Sequence, residues 1–293
     1  MGTTAGNLIF GAMHRDEQSS ILKVEHHYIQ SAFLQRELVV DTYFPLHVAD
    51  PSSLSLLLVN DGQDLSKMHF PLLLEGLMET NQVQPLMCVG IHAGPDRKIE
   101  YGTAKVLDFA GRGSMAGAYH QFILEELLPY LQVQYRVEAF GTMGVAGFSL
   151  GGLTALDLVW RYPKIFSVAG VFSGSLWWRT RDLDDGYNEE VDRIMHALIR
   201  KGRYHRGLRF YFTTGSLDET ADRNNNGIID SIDDTMGLIE ELKRKGYSDA
   251  DIEYINYEDG RHDVETWGRA MPRFLLWGFG PASPHRNKRP ARK

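Results

Sequence analysis

One stretch, Gly144–Gly152 (Gly-Val-Ala-Gly-Phe-Ser-Leu-Gly-Gly), constrains this chain more than any other. Within it Gly147-Phe148-Ser149-Leu150-Gly151 has the form G-x-S-x-G. In that form the serine sits on a sharp strand-to-helix turn, in strained backbone, with its hydroxyl raised above a sheet. Side chains two positions to either side would collide there, so glycines flank it. The neighbouring residues supply the matching context. Gly141–Phe148 reads as a short apolar strand and Leu153–Trp160 as a helix, which Tyr162-Pro163 ends.

The rest of the chain repeats that alternation. Ile21–Gln30 and Arg36–Phe44 read as a hairpin of two strands, closed by Pro45. Leu54–Val59 is a nearly continuous apolar run, as in a strand buried on both faces, and Leu86–Ile91 and Phe166–Phe172 read likewise. Leu208–Thr213 and Ile252–Tyr257 are further strands. Helical segments are expected from Ser66 to about Glu79, with Pro71 marking its first turn, and over Ala116–Gln134, Asn188–Lys201, Asp234–Lys245 and Val264–Phe279. Strands that alternate with helices give an α/β fold with a mostly parallel central sheet, here with an N-terminal antiparallel hairpin. Residues 1–280 read as a single domain, and Pro281–Lys293 as a frayed basic tail.

Composition excludes several classes. A net charge of −7 argues against a nucleic-acid binder. No stretch approaches the length of a membrane span. Met1–Gly6 lacks a basic region followed by an apolar core, so no signal peptide is expected and the expected location is cytoplasmic. Cys88 is the one cysteine, so no intrachain disulfide can form, and it reads as a buried small hydrophobe.

A serine hydroxyl at its free pKa is a poor nucleophile and needs a base held by an acid. In the α/β-hydrolase chain order the acid and then the histidine follow the serine. Asp218 comes after the next-to-last strand and His262 after the last. All three then lie at carboxyl ends of strands, on one edge of the sheet, which makes Ser149, Asp218 and His262 the expected catalytic set. Glu219 and Asp222 are the rivals of Asp218. His92, at the end of an earlier strand, reads as structural. The expected oxyanion donors are the backbone N–H groups of Leu150, which follows the nucleophile, and Gln63, just past the Asp61-Gly62 turn. Each is worth about 3 kcal/mol of transition-state stabilisation. Trp177 and Trp178, in the loop after the strand that follows the elbow, are expected to help form the substrate pocket.

These residues resemble the putative-esterase family of α/β-hydrolases, which includes enterobactin (enterochelin) esterases, S-formylglutathione hydrolases, feruloyl esterases and mycolyltransferases. The landmarks are Asp61-Gly62, Arg97 with Glu100-Tyr101, Glu125-Glu126-Leu127 with Pro129-Tyr130, Gly147–Gly152, Ser173-Gly174-Ser175 with Trp177-Trp178, and Gly260-Arg261-His262 with Trp267. The resemblance runs from about Ile21 to Phe279. It implies hydrolysis of a small-molecule carboxylic ester through an acyl-serine, and the Ser-Gly-Ser run with its double tryptophan is similar to the siderophore-esterase branch. Two features depart from that branch. Only about twenty residues precede the first strand, and Arg261 replaces a glycine usual before the histidine. An acyltransferase using the same acyl-serine is the alternative from a second class.

One further motif stands apart. Asp222-Arg223-Asn224-Asn225-Asn226-Gly227-Ile228-Ile229-Asp230-Ser231-Ile232-Asp233 has the layout of an EF-hand loop, with oxygen side chains at positions one, three, five, nine and twelve and glycine at six. Its expected ligands are Asp222, Asn224, Asn226, Asp233, the Ile228 carbonyl, and Asp230 directly or through water. Catalysis is expected to need no cofactor. A calcium ion here would be structural, steadying the acid loop, and a filled site would favour an extracytoplasmic home. A calcium-dependent binding module on a catalytically dead fold is a third reading, which the intact triad argues against.

Overall fold

In a computed structural model, residues 20–48 and 53–281 are described. Met1–Gly6 and all but the first residue of the basic tail lie outside them. The described residues form an eight-stranded sheet in the order β1-β2-β4-β3-β5-β6-β7-β8. β1 (Leu22–Ser31) and β2 (Arg36–Pro45) make the antiparallel hairpin, and β2 joins β4 (Leu86–Ile91) antiparallel. From β4 onward the pairing is parallel through β3 (Ser55–Asn60), β5 (Met143–Phe148), β6 (Val168–Phe172), β7 (Arg209–Leu217) and β8 (Ile252–Arg261).

The apolar runs are buried on both faces because side chains alternate along a strand. Leu56 and Leu58 of β3 enter one core, and Leu57 and Val59 enter the other. The first core packs under the long helix after β4, α5 (Leu150–Arg161), α7 (Ile194–Lys201) and α8 (Asp230–Lys245). The second lies under α1 (Phe70–Glu79) and α9 (Val264–Phe279), where Phe274 and Phe279 meet Val168 and Phe172. Cys88 belongs to this second core, fully buried, and that burial pushes its thiol pKa up.

Several elements differ from the sequence expectation. A 3-10 turn, Gly62–Met68, precedes α1, so Pro71 does sit in the first helical turn. The long helix is continuous in direction but made of α3 (Ala116–Gln121), a π turn (Phe122–Leu127) and α4 (Leu128–Tyr135). The expected helix over 188–201 is broken into α6 (Glu189–Asp192) and α7 by extended backbone at Arg193. That guanidinium is drawn to Asp234, 3.0 Å away on α8. α8 starts four residues early, at Asp230, and β8 runs on to Arg261. No helix among the described residues is long and apolar enough to cross a membrane.

Candidate active site

Ser149 lies between β5 and α5 with φ 54° and ψ −120°, backbone that a non-glycine residue adopts only when its surroundings force it. Its N–H donates to the Phe172 carbonyl at 2.8 Å, which locks the turn onto β6. The flanking glycines are sterically required. A Cβ on Gly147 would strike the Gly151 carbonyl, and one on Gly151 would strike the Asp61 carboxylate.

The sheet register brings the other two residues to the same edge. Phe148 pairs with Phe172, Phe172 with Thr213, and further along Leu217 pairs with Arg261. Asp218 and His262 are therefore the next residues on adjacent strands. The register slips between Gly215 and Leu217, where a Cβ on Gly215 would run into the Gly260 backbone. Gly260 is confined in turn: a Cβ there would meet the Gly215 Cα and the side chains of Tyr257 and Thr266.

Asp218 is held by its own turn. Its Oδ2 accepts from the Gly215 N–H at 3.0 Å and from Ser231 Oγ at 3.3 Å. Its Oδ1 is buried and has no hydrogen-bond partner, so one acceptor is left for an imidazole N–H. Glu219, the rival acid, is half-buried, and burial raises its pKa. His262 is fixed between the end of β8 and the cap of α9, where Asp263 Oδ1 accepts from the Thr266 N–H at 2.9 Å. Although exposed on one side, the His262 ring packs edge-on against Trp267 at 5.2 Å, and Trp267 stacks on Phe148 at 5.1 Å. Burial lowers the His262 pKa, the Asp218 charge raises it, and the Arg97 charge lowers it again. Among the described residues no hydrogen bond joins the His262 ring to Ser149 or Asp218, and unliganded sites are often loose in this way.

The two expected donors lie in the first turns of helical elements. Leu150 begins α5 and Gln63 is the second residue of the 3-10 turn, so neither N–H has an intrahelical acceptor. The Gln63 side chain instead accepts from the Ala93 N–H at 3.0 Å.

Three neighbours of Ser149 were not singled out as site residues from the sequence. Ser175 Oγ is 3.4 Å from Ser149 Oγ, and its N–H donates to the Ser149 carbonyl at 3.0 Å. Asp61 carries a bidentate pair with Arg97, at 2.6 and 2.7 Å. Both pairings depend on tertiary approach, and in the sequence they left only the Ser-Gly-Ser, Asp-Gly and Arg97 landmarks, with no sign of what pairs with what. His92, read as structural, pairs with Asp41: its Nε2 meets Asp41 Oδ2 at 2.8 Å.

The tryptophan pair divides, which corrects the expectation that both line a pocket. Trp178 is wholly buried in the core, its ring against Gly102 and Gly113, so it cannot touch a ligand in this arrangement. Trp177 is half-buried, with the Arg112 guanidinium 5.1 Å and that of Arg179 5.8 Å from its ring centre. It is the one of the two with a surface to offer.

Residues 222–229 wrap as a compact loop, and residues 230–233 form the first turn of α8. Asp222 accepts from the N–H groups of Asn226 and Gly227 at 3.1 and 2.9 Å, and Asn224 Nδ2 donates to Asp233 Oδ2 at 2.9 Å. The Asn226 side chain accepts from the Ile228 N–H at 2.8 Å. Asp230 is turned away, accepting from the Arg223 N–H at 3.0 Å. The side-chain oxygens of Asp222, Asn224 and Asn226 are thus taken up by backbone N–H groups of the loop, and that of Asp233 by the Asn224 amide. Among the described residues no group of three or more His, Cys, Asp or Glu side chains is placed to hold a metal ion.

A family model described as "Putative esterase" matches residues 31–277. A relative from Bacillus subtilis (strain 168), the uncharacterized protein YbbA, is 27% identical over 243 residues, or 80% of this chain and 90% of that protein. Among solved structures, the enterobactin esterase FES from Shigella flexneri in the presence of enterobactin superposes with a TM-score of 0.66 at 18% identity, over 88% of this chain. The chain spans 59% of that FES chain. A ferulic acid esterase superposes with a TM-score of 0.64 at 17% identity, covering 89% of this chain and 99% of its own.

Proposed function

The chain belongs to the Putative esterase family of α/β-hydrolases, and from that membership we propose that it hydrolyses carboxylic esters through an acyl-serine on Ser149. One observation carries the reading: a serine in strained backbone shares a sheet edge with a histidine and a half-free carboxylate, set side by side by the β7–β8 register. His262 takes the Ser149 hydroxyl proton as Oγ bonds to the ester carbon. The carbonyl oxygen gains charge and is met by the Leu150 and Gln63 N–H groups. When the tetrahedral adduct collapses, the alcohol oxygen leaves with the proton from His262. Water then attacks the acyl-serine by the same route in reverse, releasing the acid and restoring the hydroxyl. Asp218 orients the imidazole and steadies its charged form.

The acyl group we propose is bulky or aromatic, as in siderophore or feruloyl-type esters. Trp177, with Phe109 beside Arg112 and Arg179, offers an aromatic and cationic wall. A fluorophosphonate probe should label Ser149, and p-nitrophenyl esters, ferric enterobactin and a feruloyl ester should separate the substrate classes. Because burial holds His262 below the ordinary histidine value of 6.5, the acid limb of kcat/KM should fall below pH 6.5. The base is the neutral imidazole, so activity is present above that limb and lost beneath it. Absence of labelling, with no hydrolysis of any of these esters, would refute the assignment.

We also propose that residues 222–233 bind one calcium ion in a structural role, through the side chains of Asp222, Asn224, Asn226 and Asp233 and the Ile228 carbonyl. The ion would offset the repulsion between Asp222 and Asp233 and tie the loop to the start of α8, whose Ser231 touches Asp218. Binding the folded state alone stabilises it by about 2.7 kcal/mol at a hundredfold excess over Kd. Melting curves in millimolar calcium should therefore lie above those in EGTA, and Asp222→Ala should erase the gap. Coincident curves for the parent protein would show the loop to be a plain turn.

A further inference from the structure

We propose that Arg97 is a positioning residue of this site: it clamps Asp61 so that the backbone of Gly62 and Gln63 stays aimed at the reacting carbonyl. The inference rests on the ester-hydrolase reading and adds a residue to it. Asp61 is the hinge of the donor loop. It sits at φ 61°, left-handed backbone for a residue with a side chain, so it must be held there from outside. Three contacts hold it. Its carboxylate, 4% exposed, takes Arg97 Nε at 2.6 Å and Arg97 Nη2 at 2.7 Å. Its N–H donates to the Tyr101 hydroxyl at 3.2 Å.

Both holding residues come from one short element. Arg97 opens the four-residue helix α2 (Arg97–Glu100), and Tyr101 caps it. Glu100, between them, takes a bidentate bond from Arg36 of β2, at 2.6 Å to each oxygen. The chain of contacts therefore runs from the antiparallel half of the sheet, through α2, to the loop after β3. Arg97 Nη2 also reaches the Phe148 carbonyl at 3.3 Å, one residue before the nucleophile. The same guanidinium touches both sides of the oxyanion site. Two of its three nitrogens are occupied by protein acceptors, which suits a clamp better than a substrate-binding group. Only a guanidinium supplies this planar fork, and lysine cannot.

The same charge lies close enough to His262 to lower its pKa. Arg97 thereby gains a signature that a purely structural residue lacks. Arg97→Ala should lose about 10²–10³-fold in kcat, the size of one oxyanion donor, with KM within about twofold of the parent. Its acid limb should move to higher pH. Guanidinium in the buffer should restore part of kcat. Arg97→Lys keeps the charge and loses the fork, so kcat should fall while the acid limb stays near the parent position. Asp61→Asn should lower kcat without any upward move of the limb. A folded Arg97→Ala protein with parent kcat and an unmoved limb would overturn the proposal. Should Arg97→Ala fail to fold, a parent-like kcat in Arg97→Lys would overturn it equally. Failure of the underlying reading looks different: Ser149→Ala would still hydrolyse ester, whatever Arg97 does.

Discussion

Ser149→Ala should reduce kcat by roughly 10⁴–10⁶-fold, and His262→Ala by a similar factor. The double variant should be little worse than either, because nucleophile and base act on one proton and removing either ends the pathway. Asp218→Asn should cost about 10⁴-fold in kcat, since an amide would favour the wrong imidazole tautomer. Glu219→Gln should stay near the parent, as the carboxylate oxygen left free beside the base belongs to Asp218. Steady-state kinetics on one activated ester decide all four. Near-normal turnover in His262→Ala would remove His262 from the mechanism, and an inactive Glu219→Gln with an active Asp218→Asn would transfer the role of acid.

Trp178→Ala should produce the largest stability loss of the substitutions considered, about 3–5 kcal/mol. The ring is fully buried against the backbone of two glycines and under the Arg112 guanidinium, so its removal leaves a large cavity in the core. A drop in Tm on the order of 10 °C is expected. Trp178→Phe should cost much less, because the buried indole N–H has no partner to lose. Trp177→Ala should behave differently. It forfeits the cation–π contacts with Arg112 and Arg179, worth about 1 kcal/mol together, and should raise KM for aromatic esters more than for acetate esters. If Trp177→Ala instead matched Trp178→Ala in Tm and left KM ratios unchanged, both rings would be packing residues.

The parts of this chain that were legible in its sequence are those with a local cause. Leu86–Ile91 and Val264–Phe279 were bounded correctly because a buried strand and a helix opening after Asp263 each declare themselves in consecutive residues. Ser149 was legible because its turn needs glycines at fixed offsets. Long-range causes were invisible. The last strand was expected to end at Tyr257, but Gly260 is buried against Gly215 and β8 continues through it to Arg261. The break at Arg193 needs Asp234, forty-one residues away. The clamp from Arg97 to Asp61 spans thirty-six residues. Trp177 and Trp178 are chemically alike, and only the packing around them tells them apart.

The proposed acid, Asp218, has a short address. Its carboxylate is fixed by the N–H three residues earlier, at Gly215, before the long loop has begun, and the loop reaches it again only through Ser231. The stretch from Asn224 to Ile229 makes no hydrogen bond to that carboxylate, whereas Arg223 just before it is anchored to Asp234 of α8 and to Glu189. Substitutions along residues 224–229 therefore leave the carboxylate its seat as long as the Arg223 anchor is kept. The three-residue tether from Gly215 to Asp218 has no such latitude, since one inserted residue would turn the carboxylate away from the imidazole.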